Sequence, residues 1–301
     1  MNNKVVLANV LMLLAAAIWG FAFVAQRVGM ETMGPHLFNS VRFLMGGIAL
    51  LPVVYWLHIK RPERGAAKSA NQTHLLLAGL LAGSFLCAGA TLQQVGLQYT
   101  TAGKAGFITG LYIFFVPAIG LLFGMRTSMG TWIGAAIAVW GLYLLSIRDN
   151  FTLSYGDTLQ VLCAVAFAGH VLVIGYLASR FDTIKLSAIQ FIVAGLLALV
   201  LAIMTEAISW QMIADTALPL AYAGLMSTGL AYTLQVVAQQ HAHSSHAAII
   251  LSSEGVFAVL GGWLFLSETL PAQGLIGCAL ILAGMLLSQL WPAKKPQATA
   301  A

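Results

Sequence analysis

Residues 91–98 read Thr91-Leu92-Gln93-Gln94-Val95-Gly96-Leu97-Gln98, and residues 233–240 read Thr233-Leu234-Gln235-Val236-Val237-Ala238-Gln239-Gln240. At a constant offset of 142 residues, five of the eight positions are identical, among them Thr91/Thr233, Gln93/Gln235 and Gln98/Gln240. Two apolar segments share leucines and valines by composition alone, but seldom polar residues in register. The register continues through Ala105/Ala247, Phe115/Phe257, Gly120/Gly262 and Phe123/Phe265. One inserted residue later, Gly134/Gly277 and Gly141/Gly284 align, and upstream Phe43/Phe191 and Gly47/Gly195 align at an offset of 148. The chain reads as one unit followed by a second copy of itself.

The composition says what kind of unit is repeated. Of 301 residues, 60% are hydrophobic and 8% charged, against about 45–50% and about 25% in soluble domains. An ordinary globular enzyme is excluded, and so is disorder, which needs low hydrophobicity and high charge. A mean hydropathy of +0.89 leaves the polytopic membrane protein, whose partner is the lipid bilayer. The net charge of +5 gives no nucleic-acid signal, because the basic residues sit in short loops and form no stripe interleaved with aromatics. Cys87, Cys163 and Cys278 fall inside apolar runs and read as small buried hydrophobes, with no disulfide frame or CxxC site. The stretch from Met1 to Ala25 is too long for a signal-peptide core and reads as a retained first span.

A spanning helix needs roughly 20 apolar residues. Ten are expected, at 5–27, 37–58, 74–97, 104–124, 130–147, 156–178, 185–205, 217–238, 246–267 and 273–291. The breaks are Gly34-Pro35, the run Lys60-Arg61-Pro62-Glu63-Arg64, Arg148-Asp149-Asn150, Arg180-Phe181-Asp182, Asp215 and Pro271. With the N-terminus inside, the cytoplasmic loops hold Lys4, Lys60, Arg61, Arg64, Lys68, Arg126, Arg180, Lys185, Lys294 and Lys295, ten of the 14 basic residues. The positive-inside rule then places both termini in the cytoplasm.

The expected fold is all-α: a polytopic membrane protein of ten transmembrane helices as two inverted five-helix repeats. The units are residues 1–148 and 149–292, with a cytoplasmic tail at 293–301. Five spans is an odd number, so the second copy enters the membrane in the opposite sense, which is a feature of secondary transporters. Inversion also accounts for Arg126 in the first copy against Glu268 in the second, basic inside and acidic outside.

On this frame the sequence resembles the drug/metabolite transporter superfamily, in particular its ten-helix EamA-type members. In the first repeat the resemblance rests on Ala17-Ile18-Trp19-Gly20-Phe21-Ala22-Phe23, Arg42-Phe43, and the run Ala102 to Gly124 containing Lys104-Ala105-Gly106-Phe107. In the second it rests on Ser253-Glu254-Gly255-Val256-Phe257-Ala258 through Gly262-Trp263-Leu264-Phe265-Leu266-Ser267-Glu268. Family members commonly carry a proline where Gly255 stands. The resemblance implies an exporter of small metabolites, amino acids or related solutes, in a bacterial inner membrane. It implies a central cavity lined by helices 1, 3, 4, 6, 8 and 9, and no catalytic residue or cofactor.

Ionisable groups in the hydrocarbon are costly and usually face a cavity or a partner. Glu254 lies roughly 12 Å into helix nine at the helical rise, and His170 lies at similar depth in helix six. The two are the candidate coupling pair, able to exchange a proton for solute. Arg42 divides evenly between cavity function and a bland role, snorkelling to the interface or a structural ion pair; Arg27 reads as snorkelling to the interface, and Lys104 as an interfacial anchor. Gln93, Gln94 and Gln235 are candidate solute ligands, with interhelical hydrogen bonding as the competing role. Tyr99, Tyr112, Tyr232 and Trp19 are candidates to enclose an apolar part of the solute. His241, His243 and His246 read as a solvated loop and not a metal site. Gly79-x-x-x-Gly83 and Gly106-x-x-x-Gly110 read as close-packing positions. With no P-loop, HExxH or nucleophile elbow, an ATP-driven pump is excluded for this chain alone. The competing function, a membrane-embedded enzyme acting on a lipid or isoprenoid, needs several converging carboxylates, and only Glu254 and His170 qualify. Monomer and homodimer both stay open.

Overall fold

In lipid every backbone N–H and C=O must be satisfied within the segment, so apolar runs of this length fold as helices. The computed structural model describes residues 3–60, 72–124, 129–146, 154–242 and 244–291. These comprise α1 (Asn3–Gly29), α2 (Pro35–Lys60), α3 (Gln72–Leu97), α4 (Ala102–Leu122), α5 (Met129–Ser146), α6 (Tyr155–Leu177), α7 (Thr183–Thr205), α8 (Ala217–Gln239), α9 (Ser244–Leu266) and α10 (Ala272–Leu290). Among the described residues, eight helices are long and apolar enough to cross a membrane, and shorter apolar stretches, Trp132–Gly141 and Ala272–Gly284, lie within α5 and α10. A short helix, Trp210–Asp215, precedes α8 and has no counterpart in the sequence reading. Arg61, Arg64, Lys68, Arg126, Arg148, Lys294 and Lys295, on which the charge asymmetry leans, lie outside the described residues, as do Asp149, Asn150, His243 and the tail 293–301.

Local chemistry sets the helix starts. Pro35 opens α2, where its missing N–H costs nothing. Thr101, Ser154 and Asp182 cap α4, α6 and α7, their side-chain oxygens accepting from Lys104 N at 3.3 Å, Asp157 N at 3.1 Å and Lys185 N at 3.0 Å.

Three helices depart from regular α geometry. α4 is two pieces, Ala102–Thr109 and Tyr112–Leu122, parted at Gly110–Leu111. α9 is two pieces, Ser244–Leu251 and Glu254–Leu266, parted at Ser252–Ser253, whose hydroxyls each donate to a carbonyl of the preceding turn at 2.7 Å. The two breaks are separated by the same 142 residues as the duplicated motif. In α8, Tyr222–Tyr232 is a π-helix, a form that is rare and frequent at functional sites.

Packing is reciprocal between the halves. A methyl on Gly47 of α2 would lie 2.9 Å from Ile192 Cγ1 of α7, and a methyl on Gly195 of α7 would lie 2.7 Å from Leu44 Cγ of α2. Gly141 of α5 abuts the Gly277 carbonyl and Ile281 of α10, while Gly284 of α10 abuts the Gly134 carbonyl and Ala138 of α5. Gly79 and Gly83 seat α3 against Ile189 and Val193 of α7.

One end of the bundle, where α1 finishes and α2 begins, is held by charges on helix termini. The Glu206 carboxylate accepts from His36 N at 2.7 Å and Leu37 N at 2.8 Å, tying the end of α7 to the start of α2. The Glu268 carboxylate accepts from Ala102 N at 2.9 Å and Gly103 N at 3.2 Å, tying the end of α9 to the start of α4. Arg27 donates to Leu97 O at 2.7 Å, so it caps α3 and does not simply reach for the interface. Lys104 pairs with the buried Asp157 at 2.8 Å and is an inter-helix tie between α4 and α6 more than a surface anchor. Thr100 donates to the other Asp157 oxygen at 3.0 Å.

Candidate functional site

The breaks in α4 and α9 place Tyr112 and Glu254 each at the first residue of a second half-helix. Both line one cavity, to which α1 contributes Trp19 and Gln26, α3 Gln93, α6 His170, and α8 Tyr232 and Gln235. α2 adds Arg42. At ≈ 30 Å³ the cavity holds about two waters. A metabolite would require the surrounding helices to part.

Aromatic contacts shape one wall. The Trp19 ring lies 4.5 Å from that of Tyr232, and its Nε1 donates to Ser227 O at 3.1 Å. Ser227 belongs to the π segment, so irregular backbone in α8 presents the carbonyl that orients the indole. Phe43 and Phe191, paired in the duplication, stand at 6.3 and 6.0 Å from Tyr232.

The polar groups are arranged differently. Gln93 Nε2 reaches Thr109 Oγ1 at 3.5 Å, and its backbone carbonyl accepts from Gln160 Nε2 at 2.9 Å. His170 Nε2 lies 2.9 Å from Gln190 Oε1, and its ring sits edge-on to Tyr232 at 6.1 Å. Glu254 and Tyr112 face each other, and neither makes a well-aligned hydrogen bond to the protein through Glu254 Oε1 or Tyr112 Oη. Gln26 Oε1, Arg42 Nη2 and Gln235 Oε1 are likewise unpartnered. Burying such atoms without partners costs about 1–3 kcal/mol each, more for charged groups. All five belong to residues that line one cavity, where water or solute atoms can satisfy them.

Of the sequence candidates, Trp19, Gln93, Tyr112, His170, Tyr232, Gln235 and Glu254 line this cavity together. Gln94 and Tyr99 are not among its lining residues. Gln94 is buried and donates to Gln26 O at 3.4 Å, one position along α3 from Gln93 and thus about 100° around the helix. Tyr99 lies beyond the end of α3, exposed and edge-on to Tyr155 at 5.1 Å. Gln26 was not singled out from the sequence, where the neighbouring Arg27 is the more conspicuous polar residue. His246 bonds Asn9 at 3.2 Å, joining α9 to α1.

Gly255 also has a local reason. A Cβ there would lie 3.1 Å from Phe107 Cα and N, so its absence lets α9 approach α4 just below the break.

Comparison with known proteins gives the same class. The chain is 31% identical over 283 residues to an uncharacterized transporter of Archaeoglobus fulgidus, covering 92% of this chain and 84% of that one. It is 27% identical to the uncharacterized transporter YwfM of Bacillus subtilis, with 97% of each chain covered. A crystal structure shares the fold at a TM-score of 0.67 and 18% identity, covering 94% of this chain and 96% of that one. The profile of the EamA-like transporter family matches residues 6–147 and again 154–290. A multi-pass helical chain matched over both halves in this way belongs to the EamA-like transporter family.

Proposed function

We propose that the protein is a secondary transporter that exports small metabolites, amino acids or related solutes, across a bacterial inner membrane by alternating access. Its ten helices act as two inverted five-helix repeats, residues 1–148 and 149–292, with both termini in the cytoplasm. The observation that carries this reading is the pair of helix breaks at Gly110–Leu111 and Ser252–Ser253, in register with the duplication. They deliver Tyr112 and Glu254 to a cavity rimmed by unpartnered polar atoms. Discontinuous helices at corresponding positions of two repeats are how secondary transporters build a central solute site. The reciprocal glycine contacts of α2 with α7 and α5 with α10 support a two-fold relation between the halves.

In this mechanism the half-helices pivot at the two breaks, and the cavity opens to one side at a time. Solute oxygens and nitrogens satisfy Gln235 and Tyr112, and Trp19 and Tyr232 enclose its apolar part. Glu254 and His170, on the same cavity, are the candidate proton-coupling groups. The test is counterflow in proteoliposomes over a panel of amino acids and related metabolites. Wild type should accumulate at least one labelled solute, and Gln235→Ala should not while keeping its thermal stability in detergent. Parallel loss of folding and transport would assign Gln235 to structure.

A further inference from the structure

Arg42 is the largest fully buried side chain among the described residues and lines the cavity. Its Nε donates to Asn39 Oδ1 at 2.8 Å, and Asn39 is held in turn by Nδ2 donating to Ala90 O at 3.0 Å. The guanidinium carbon lies 4.6 Å from the centre of the Phe43 ring. One edge and one face of the group are therefore fixed. Nη2, which carries two donors, is buried without an acceptor. Among the described residues no carboxylate makes an ion pair with Arg42. An arginine stays charged under all ordinary conditions, and a rigid, desolvated, unpaired guanidinium inside a bilayer is a site for an anion.

We infer that Arg42 is the solute anchor and that the solute carries a carboxylate that pairs with its free Nη2 edge. This deepens the transporter reading and rests on it. The charge balance favours a carboxylate over a phosphate. Arg42 is the one Arg or Lys lining the cavity, and Glu254 lines the same space, which opposes a dianion. The Asn39 contact supplies what a positioning residue must: it holds the fork in one orientation, so little freedom is lost when a planar carboxylate binds.

The test compares solutes that differ only at that group: alanine with alaninamide, leucine with leucinamide, and lactate with lactamide, plus glycerol phosphate. Uptake is measured in proteoliposomes against protein-free vesicles. The acid of at least one pair should be favoured over its amide by about tenfold to a hundredfold, the range of a charge-assisted hydrogen bond. Arg42→Gln should abolish that preference, and Arg42→Lys should restore part of it. Equal transport of acid and amide by wild type overturns the assignment and leaves the transporter reading standing. So does transport of glycerol phosphate alone. Transport of nothing in the panel counts against both. The acid–amide comparison is made on wild-type protein, so it holds even where Arg42→Gln fails to fold.

Discussion

Removal of the Glu268 carboxylate tests whether the end of the bundle is held by charge on helix termini. In Glu268→Ala, the Ala102 and Gly103 N–H groups lose acceptors at 2.9 and 3.2 Å. A charge-assisted hydrogen bond contributes about 1.5–3 kcal/mol, and a carboxylate on a helix N-terminus about 0.3–2 kcal/mol. Glu268 is half-buried, so water reaches the vacated site and the low end applies. The expected loss is about 2 kcal/mol. Glu268→Gln keeps an acceptor oxygen and forfeits the charge, with about half that loss. Glu206→Ala should cost at least as much as Glu268→Ala, because its bonds to His36 N and Leu37 N are shorter, at 2.7 and 2.8 Å. The assay is thermal unfolding in detergent followed by size-exclusion fluorescence, with the exposed Glu31→Ala as control. The expected order of melting temperatures is Glu31→Ala, Glu268→Gln, Glu268→Ala, from highest to lowest. If Glu268→Ala melts with the control, the carboxylate does not hold α9 to α4 and the argument fails.

Glu254→Gln removes the charge and nearly keeps the shape; transport by this variant should lose its response to an imposed pH gradient in vesicles, and an unchanged response would exclude Glu254 as the coupling group. Gln93→Ala gives up only a 3.5 Å contact to Thr109, so its melting temperature should stay near wild type, within the average ~0.6 kcal/mol of an interhelical bond, while solute counterflow falls. Gly106→Leu forces atoms against Ala258 Cβ, 2.5 Å from where even a methyl would sit, and should destabilise by about 1–3 kcal/mol in the same melting assay. Ser267 closes α9 at φ 53°, a left-handed conformation that glycine adopts freely, so Ser267→Gly should raise stability by roughly 0.5–1 kcal/mol, and a loss would mean its side chain has an unrecognised role.

Much of the architecture was open to reading because the membrane leaves few alternatives. Apolar run length, with the breaks at Gly34-Pro35 and Arg180-Phe181-Asp182, put the starts of α2, α6 and α7 within two residues of Pro35, Tyr155 and Thr183. The breaks in α4 and α9 could not be read the same way. Gly110 and Ser252 are ordinary residues in apolar helices, and hydropathy carries no signal for a lost turn. The π segment of α8 was equally silent, since its sequence, Tyr-Ala-Gly-Leu-Met-Ser-Thr-Gly-Leu-Ala-Tyr, is compatible with an α-helix. Site residues divided along a similar line. Side chains costly to bury, such as Glu254 and His170, were legible from type and depth. Gln93 lines the cavity and Gln94 does not, because adjacent positions on a helix face different neighbours. Arg42 stayed undecided because only the geometry of Asn39 and Phe43 around it separates a structural cation from an unpaired one.

The duplication supplies matched helix breaks but unequal chemistry. Gly110 and Ser252 occupy matched positions, as do Tyr112 and Glu254. A pivot on each side of the cavity needs only similar backbone breaks, and both halves keep them. The residue just after each break is not conserved between the copies: one is a phenol and the other a carboxyl. In the proposed alternating-access cycle, motion about a two-fold axis would exchange the environments of the two halves, so a matched pair with identical side chains would give the same site in either state. With Tyr112 on one half-helix and Glu254 on the other, the inward and outward states of that proposed cycle would present a solute with different donors and acceptors. Differential affinity of that kind is what allows a ligand to bias a conformational equilibrium at all. It follows that exchanging the pair, Tyr112→Glu with Glu254→Tyr, should preserve the fold better than it preserves the preferred direction of flux. Vesicles loaded from either side would reveal this: an unchanged inside-to-outside ratio of transport rates would show that directionality is set elsewhere.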